Sequence, residues 1–473
     1  MLIVSIFTDI ITFIIAVFNG CRSYKQHKKI TIFCVVSFTY ALYFSIVPIL
    51  YKLTSFELKK VITFQSLRYY EDKDFLWTSV ILFLIYITML FGYNVVFNKY
   101  HNYDHKYLYS YSLENKKIYK ILIVVGSIVL TMSVITMVWF MISWHVGINE
   151  FIARGNNIRG YNTDNSPYIS VSQAPFLFFI RCVPCTAFLF YTANRMSNSF
   201  ITNILFVVSL CVSVIFLLFN GGKAPIILFF APFVLDFFTK KFKHPWIIVI
   251  VFVIILVPFL SWLDTLFYSY SSGIKLNDIH KEFNYFSYIL QEFIYPFSNV
   301  VSVKNILANS GYRFGVDYVT FFINLIPTAI LKPIGLSKIP GLSDYIVSYY
   351  GYFMGVHSYF GGIPVDIVTF GYLQLGLIGA ISGVFFFGMV ICWLDKKIIR
   401  LLKFNNYFNA FALRISLIFY VFLVNYSFDT NLKLRFDILL MIIIAIYSSN
   451  LYAHRKPTNG YQRDGYIDLG EKR

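Results

Sequence analysis

Two arginines five positions apart lie in a segment that holds few other charges. Arg154 and Arg159 are each followed by glycine, and a third arginine, Arg313, lies between Gly311 and Gly315. The planar guanidinium group matches the geometry of phosphate oxygens. A neighbouring glycine also allows backbone N–H groups to approach the same anion. The pattern predicts diphosphate binding, while the plainer interpretation is a set of solvated loop arginines.

Three further residues carry groups that suit transfer chemistry. Lys223 begins a predicted helix, where its ammonium group contacts an anion or extends along the membrane surface. His357 is expected to act as a general base or to donate a hydrogen bond to a phosphate, or else to make a structural hydrogen bond. Asp366 stands at the start of an apolar segment, where a carboxylate accepts a proton from a hydroxyl group or caps a helix. Both interpretations stay open for each of the three residues.

The apolar segments also contain ionisable and thiol groups. Arg181 lies inside one of them, and a charge within a membrane is costly enough to indicate a functional or paired residue. We predict that Arg181 pairs with Asp9. Cys182 and Cys185 have the spacing of a redox pair, but they lie in the middle of the same segment, so we expect buried free thiols. The histidines are scattered, and no metal or other cofactor is predicted.

The composition places these residues in a membrane protein. Of 473 residues, 58% are hydrophobic and 13% are charged, whereas soluble proteins average about 25% charged residues. This composition excludes a soluble domain. Apolar segments long enough to cross the hydrocarbon core recur along the chain, so we predict an all-α polytopic integral membrane protein with about 11 (10–12) spans. The predicted spans are 2–18, 30–51, 75–97, 121–144, 171–191, 200–219, 224–238, 246–266, 367–394, 408–426 and 436–452.

The distribution of positive charge predicts the orientation of these spans. The net charge is +17, and 22 of the 40 Lys and Arg residues fall in one alternating set of short segments. Cytoplasmic loops carry such an excess, so the C-terminus is expected inside and the N-terminus outside. We found no nucleic-acid motif. The predicted units are the helices 1–144, the outer loop 145–170, the helices 171–266, the large outer loop 267–366, the helices 367–452 and the basic tail 453–473.

The large outer loop is expected to hold the function. It has 100 residues, and long ordered loops between rigid helices are usually functional. A helix-bundle transporter of this size would keep its loops short and place its site at mid-membrane. Within the loop, the apolar stretch 318–331 is long enough to re-enter the membrane.

The layout of the second half resembles a known family. The arginine-bearing loop 145–170, the turn 220–223, the large loop and the glycine-rich segment 370–379 are similar to those of bacterial O-antigen polymerases (Wzy) and related oligosaccharide repeat-unit polymerases. The resemblance covers about 145–395. It implies a GT-C-like helix bundle in the bacterial inner membrane, with the active site facing the periplasm. It also implies a metal-independent glycosyltransferase whose partner is an undecaprenyl-diphosphate-linked oligosaccharide, with a chain-length regulator and a flippase as candidate partners.

The resemblance also implies roles for individual residues. Arg154, Arg159 and Arg313 would clamp the diphosphate, and Lys223 would contact it. His357 would assist the leaving group or the acceptor, and the nearest candidate base is Asp366. The histidine and glycine spacing departs from that of the related O-antigen ligases.

Three alternatives remain. The first is an O-antigen ligase-like enzyme. The second is a polyprenyl-phosphate-sugar-dependent glycosyltransferase, in which Asp72 and Asp74 would hold a divalent metal, although a solvated charged loop explains these residues too. The third is a lipid-linked oligosaccharide flippase, which predicts charged residues along a cavity inside the spans.

Overall fold

The computed structural model describes most of the chain. The described residues are 1–54, 65–100, 112–156, 176–220, 222–241, 258–267, 269, 285–326, 331, 334–336, 341–354, 363–426 and 436–453. All regular structure in these ranges is helical, and they contain no strand. The all-α prediction is therefore confirmed for this part of the chain.

We number the principal helices in chain order. The first eight are α1 (Leu2–His27), α2 (Ile32–Leu53, with a π-helical turn), α3 (Asp72–Tyr100), α4 (Ser112–Ser143), α5 (Ile148–Asn156), α6 (Leu177–Ser197), α7 (Phe200–Asn220) and α8 (Lys223–Lys241). The others are α9 (Tyr285–Phe293), α10 (Tyr295–Ser310), α11 (Val316–Leu325), α12 (Leu342–Met354), α13 (Ile367–Phe404), α14 (Asn409–Val424) and α15 (Phe436–Ala453).

Seven helices in the described ranges are long and apolar enough to cross a membrane. They are α1, α2, most of α3, most of α4, α7, α13, and α14 with the turn before it. These helices indicate a protein embedded in a membrane through several spans. The number of eleven spans remains a prediction, and the predicted span 246–266 lies mostly outside the described residues.

Helix α1 shows how a membrane helix arranges its two faces. Its buried positions are mainly small or polar and include Ser5, Asp9 and Thr12, whereas the large apolar side chains of Ile3 and Phe7 are exposed. A surface helix of a soluble protein has the opposite arrangement. The exposed apolar face is stable because hydrocarbon rather than water covers it.

A buried ion pair joins the first three helices. The Lys52 ammonium group lies 2.5 Å from the Asp9 carboxylate and also donates hydrogen bonds to Ser5 and Ser79. The prediction that Asp9 pairs with Arg181 is therefore wrong. Sequence reasoning ended the second span before Lys52, but helix α2 continues to Leu53 and carries the lysine into the bundle.

Two more buried carboxylates connect helices that are distant in the sequence. Asp395 of α13 accepts hydrogen bonds from the backbone N–H groups of Ile32 and Phe33, at 2.6 and 3.0 Å, and so caps the start of α2. Asp437 of α15 accepts a hydrogen bond of 2.9 Å from Arg414 of α14. Each contact satisfies a polar group that hydrocarbon cannot solvate.

The described parts of the predicted large loop fold as helices. Helix α10 is the most enclosed of them, because its residues from Pro296 to Val303 are all buried. The Phe297 ring stacks on Phe75 with 6.1 Å between centroids, and Lys52 lies 5.4 Å from the same ring. This part of the predicted outer segment is thus packed into the protein core.

The Asp9–Lys52 pair makes a prediction about stability. Replacing Lys52 by Met leaves an unpaired buried carboxylate, which typically costs about 3–5 kcal/mol. We expect Lys52→Met to lower the thermal unfolding midpoint in detergent strongly. Lys73→Met is the matched control, because its partner Glu71 is exposed and such pairs contribute about 0–1 kcal/mol. Equal unfolding midpoints for the two variants would contradict this assignment.

Candidate functional site

A tight turn between α10 and α11 positions Arg313. Gly311 and Gly315 adopt φ values of 70° and 82°, which glycine tolerates best. Arg313 forms a bidentate ion pair with Asp317, with Nε–Oδ2 and Nη2–Oδ1 distances of 2.6 and 2.8 Å. Its guanidinium group also lies over the Tyr345 ring of α12, 4.6 Å from the centroid. In the described structure, the donors predicted to meet a diphosphate are held by a carboxylate.

The same turn binds to a break in helix α13. The helical backbone is interrupted at Gly376, whose φ is 65°. Just before the break, the carbonyl groups of Leu373 and Gln374 accept hydrogen bonds from the backbone N–H groups of Arg313 and Phe314, at 3.0 and 3.1 Å. Carbonyl groups that a helix break would leave without partners are thus satisfied by the turn.

The side chain of Gln374 completes this contact. Its amide nitrogen donates to Asp317 at 2.7 Å, and its amide oxygen accepts from the backbone N–H of Gly315 at 3.0 Å. We call Arg313, Asp317 and Gln374 the clasp. The clasp holds the turn and α11 against the broken part of α13.

Asp366 caps the start of α13. Its Oδ1 atom accepts hydrogen bonds from the backbone N–H groups of Val368 and Thr369, at 3.0 and 2.9 Å. The side chain is fully buried, and within the described ranges its Oδ2 atom has no hydrogen-bond partner. Burial raises the pKa of Asp366 to about 6. The cap is therefore present, and one oxygen of the carboxyl group remains available to take a proton.

Lys223 lies in a cluster of charged and polar side chains. Its ammonium group is 2.8 Å from both Asp264 and Glu292. Tyr288 donates a hydrogen bond of 2.7 Å to Asp264. Lys223 is therefore paired with protein carboxylates, so a simple snorkelling lysine does not describe it.

Arg154 is near the end of α5 and pairs with Glu150 one turn earlier, at 2.7 Å. The next residue, Gly155, packs so closely on the side chain and carbonyl group of Phe219 that a Cβ atom there would clash. Helix α8 begins four residues after Phe219, with Lys223. The structure thus brings the end of α5 next to the turn that carries Lys223.

The consecutive helices α9 and α10 contact both regions, because Glu292 of α9 binds Lys223 and Asn299 of α10 binds the carbonyl group of Pro364, two residues before Asp366. Tyr295 at the start of α10 is partly buried, and the loss of solvent around its hydroxyl group raises its pKa well above the usual value. The nearby Tyr420, Asp366 and Glu292 add to this shift through their negative charge. Glu292 in turn binds Lys223. One tyrosine therefore lies within electrostatic range of both the carboxylate and the lysine cluster.

Helix α12 connects the clasp to the region of Asp366. Its Tyr345 covers Arg313, and its Tyr350 donates a hydrogen bond of 3.2 Å to Asn299 of α10. Asn299 donates to the carbonyl group of Pro364 at 2.8 Å, in the segment that leads into α13. On α13, Gln374 of the clasp is eight residues after Asp366, which corresponds to about 12 Å along a regular helix.

Several predicted residues are not part of this description. Arg159 and His357 lie outside the described residues, so their predicted roles stay predictions. Asp72 and Asp74 lie in the first turn of helix α3, where Asp74 accepts a hydrogen bond of 3.1 Å from the backbone N–H of Glu71.

Sequence reasoning missed the carboxylates that bind the cations. Asp317 is only four residues from Arg313, but Arg313 lies in the turn before α11, so helical spacing did not predict their pair. Asp264 and Glu292 come from segments distant from Lys223, and no local pattern links them. Gln374 was part of the glycine-rich segment of the resemblance, but nothing in its neighbours indicated a bond to Asp317.

Comparisons of the chain with protein-family models, with curated proteins and with solved structures find no match. The chemistry of the site therefore has to be argued from its own residues.

The buried carboxyl group makes stability depend on pH. Asp366 has a native pKa of about 6 and an ordinary value of 3.8, so its protonation stabilises the folded state. Protonation contributes about 3 kcal/mol to the free energy of unfolding. This contribution is fully present below the ordinary pKa and is lost as the pH rises through the native pKa. We expect the thermal unfolding midpoint of the wild type to fall as the pH rises from about 4 to above 6. Asp366→Asn keeps a capping oxygen but has no proton to lose, so its midpoint should lack this part of the fall. Asp72→Asn, an exposed control, should follow the wild type. A profile of Asp366→Asn parallel to that of the wild type would refute the assignment.

The break in α13 predicts opposite effects for two glycines of that helix. Gly376→Ala puts a Cβ atom at a positive φ and should destabilise the protein by about 1–2 kcal/mol. Gly383→Ala puts a Cβ atom in open space within a helical stretch and should be neutral or stabilising by up to about 1 kcal/mol. Thermal unfolding in detergent measures both changes. A Gly376→Ala variant as stable as Gly383→Ala would argue against the break.

Proposed function

We propose that the protein is a metal-independent glycosyltransferase that polymerises lipid-linked oligosaccharide repeat units. It would transfer the growing glycan from undecaprenyl diphosphate onto a new undecaprenyl-diphosphate-linked unit, in O-antigen or capsule biosynthesis. The proposed location is the bacterial inner membrane, with the active site facing the periplasm. The orientation rests on the excess of Lys and Arg in the segments assigned to the cytoplasm.

One observation supports this reaction above all. Glu292 of α9 binds Lys223 at 2.8 Å, and Asn299 of α10 binds the carbonyl group of Pro364, two residues before the buried carboxyl group of Asp366. The two consecutive helices thus connect the cation to the carboxyl group. Glycan transfer from a diphosphate needs both kinds of group. A base takes the proton of the acceptor hydroxyl, and cations stabilise the charge that develops on the leaving diphosphate.

The proposed step balances without a further reactant. An acceptor hydroxyl attacks the anomeric carbon of the donor glycan, and the bond from that carbon to the diphosphate oxygen breaks. The hydroxyl proton passes to the Oδ2 atom of Asp366, and undecaprenyl diphosphate leaves with its charge stabilised by Lys223 and Arg154. Because Asp366 is fully buried, the side chains that cover it have to move when the acceptor binds. His357 and Arg159 are proposed to assist from the segments outside the described residues.

The cations are paired in the described structure, and this affects the proposed mechanism. Lys223 is bound to two carboxylates, Arg154 to Glu150 and Arg313 to Asp317. An incoming diphosphate has to compete with these partners. The competition is easiest for Arg154, whose partner Glu150 is exposed. It is hardest for Arg313, whose partner is buried in the clasp.

A flippase is the second candidate, and one observation favours it. It predicts charged residues inside the spans, and the structure adds Lys52 and Asp437 to the intramembrane charges Asp9 and Arg414. These four residues form two closed ion pairs. A transport pathway would need at least one of the pairs to open to a cavity.

The polymerase proposal is tested by reconstitution. Purified protein with lipid-linked repeat units should produce a ladder of glycan lengths in the presence of a chelator. We expect Arg159→Ala to abolish the ladder, because it removes a cation proposed to assist the leaving diphosphate. We expect Arg313→Ala to abolish it too, because it removes a predicted diphosphate ligand and also opens the clasp that holds the break in α13. Asp72→Asn should leave the ladder intact, whereas its loss would favour the metal-dependent glycosyltransferase.

Controls separate chemistry from folding. Arg313→Lys keeps the charge but loses the bidentate contact with Asp317, so its unfolding midpoint shows how much of any loss arises from the clasp. Absence of a ladder in the folded wild type, together with full activity in a lipid-flipping assay, would overturn the polymerase in favour of the flippase.

A further inference from the structure

Helix α11 has its polar residues inside and its apolar residues outside. Asp317 and Thr320 are 8% and 3% exposed, whereas Val319 and Phe322 are 61% and 67% exposed. Val316 lies on the same outer face and is also exposed. Positions 316, 319 and 322 follow one another along one side of a helix. This is the arrangement found in α1 and the reverse of a helix that faces water.

The inner face is held by specific contacts. Asp317 binds Arg313 and Gln374 of the clasp. The hydroxyl group of Thr320 donates a hydrogen bond of 3.3 Å to the carbonyl group of Asp317. The contacts of Asp317 therefore orient α11, and the exposed Val316, Val319 and Phe322 lie away from them.

The exposed face of α11 lies beside an exposed apolar face of α13. The clasp joins the start of α11 to α13 at Gln374, and α13 exposes Leu375 and Ile378 directly after this point. Ile378 is 75% exposed. Phe314, in the turn before α11, is also exposed. Because α13 is long and apolar enough to cross a membrane, its exposed apolar side chains are expected to contact lipid.

Helix α11 is too short to cross the bilayer. Its ten residues extend about 15 Å, whereas the hydrocarbon core is about 30 Å thick. A short helix with one apolar face lies along the membrane surface, with that face among the acyl chains. The described side chains on its outer face carry no charge that would oppose this position, since the only described ionisable groups of α11 are Asp317, which is buried, and Tyr318.

We propose that α11 lies in the interfacial layer of the bilayer, with lipid acyl chains covering Val316, Val319 and Phe322. The clasp is then the anchor that joins this helix to the span α13. Arg313 at the start of α11 is held at the depth of the lipid headgroups. This inference does not depend on the polymerase proposal, because it uses only the exposure and contacts of α11.

A photo-crosslinking experiment tests the position of α11. The photoreactive residue p-benzoylphenylalanine is placed singly at Phe322 or Val319 of the full-length protein in phosphatidylcholine vesicles. Ile378 is the lipid-facing control, and the exposed Lys73 is the water-facing control. After irradiation, mass spectrometry of the peptides detects addition of a phosphatidylcholine mass.

We expect phosphatidylcholine adducts at both positions of α11, with yields comparable to that at Ile378 and with none at Lys73. Adducts at Ile378 alone would overturn the proposal. Cross-links between two protein chains at Phe322 and Val319 would overturn it in favour of a second copy as the occupant. The two α11 sites are independent, so failure of one variant to fold leaves the other as a test.

Discussion

A charge buried among apolar helices has to be paired within the protein, and this constraint organises the described bundle. Hydrocarbon offers no hydrogen bonds, so an unpaired ammonium or carboxylate group inside the bundle would cost several kcal/mol. Lys52 satisfies Asp9, and in doing so it connects α1 and α2. Asp395 takes two backbone N–H groups at the start of α2. These contacts link helices that apolar packing alone would leave free to slide.

The same constraint operates in the candidate site, where it has a functional consequence. Each described cation proposed to bind diphosphate already has a carboxylate partner. Such pairs make diphosphate binding an exchange of one anion for another. The strength of each pair then decides the role of its cation. Arg154 has an exposed partner and exchanges easily, whereas Arg313 is held in the clasp and is better suited to position the broken end of α13.

Helix α13 is the element on which the site and the membrane surface meet. Asp366 caps its first turn, the clasp holds its break at Gly376, and apolar side chains follow on its lipid-facing side. A break in a membrane helix is tolerated where other protein groups satisfy the freed carbonyl groups. The turn before α11 does this, and it thereby ties a short apolar helix to the break in α13.

Composition and local spacing alone determined the class of this protein. Apolar segments of spanning length predict an all-helical membrane protein, because the bilayer thickness sets the length of a helix that crosses it. The start of α13 at Asp366 is also a local feature, because a carboxylate before an apolar segment caps a helix. Only the tertiary structure decided which charges meet. Lys52 rather than Arg181 reaches Asp9, because helix α2 continues two residues further than its hydropathy indicated. The carboxylates around Lys223 and the Gln374 contact come from segments far apart in the sequence, and such pairings depend on how the helices pack.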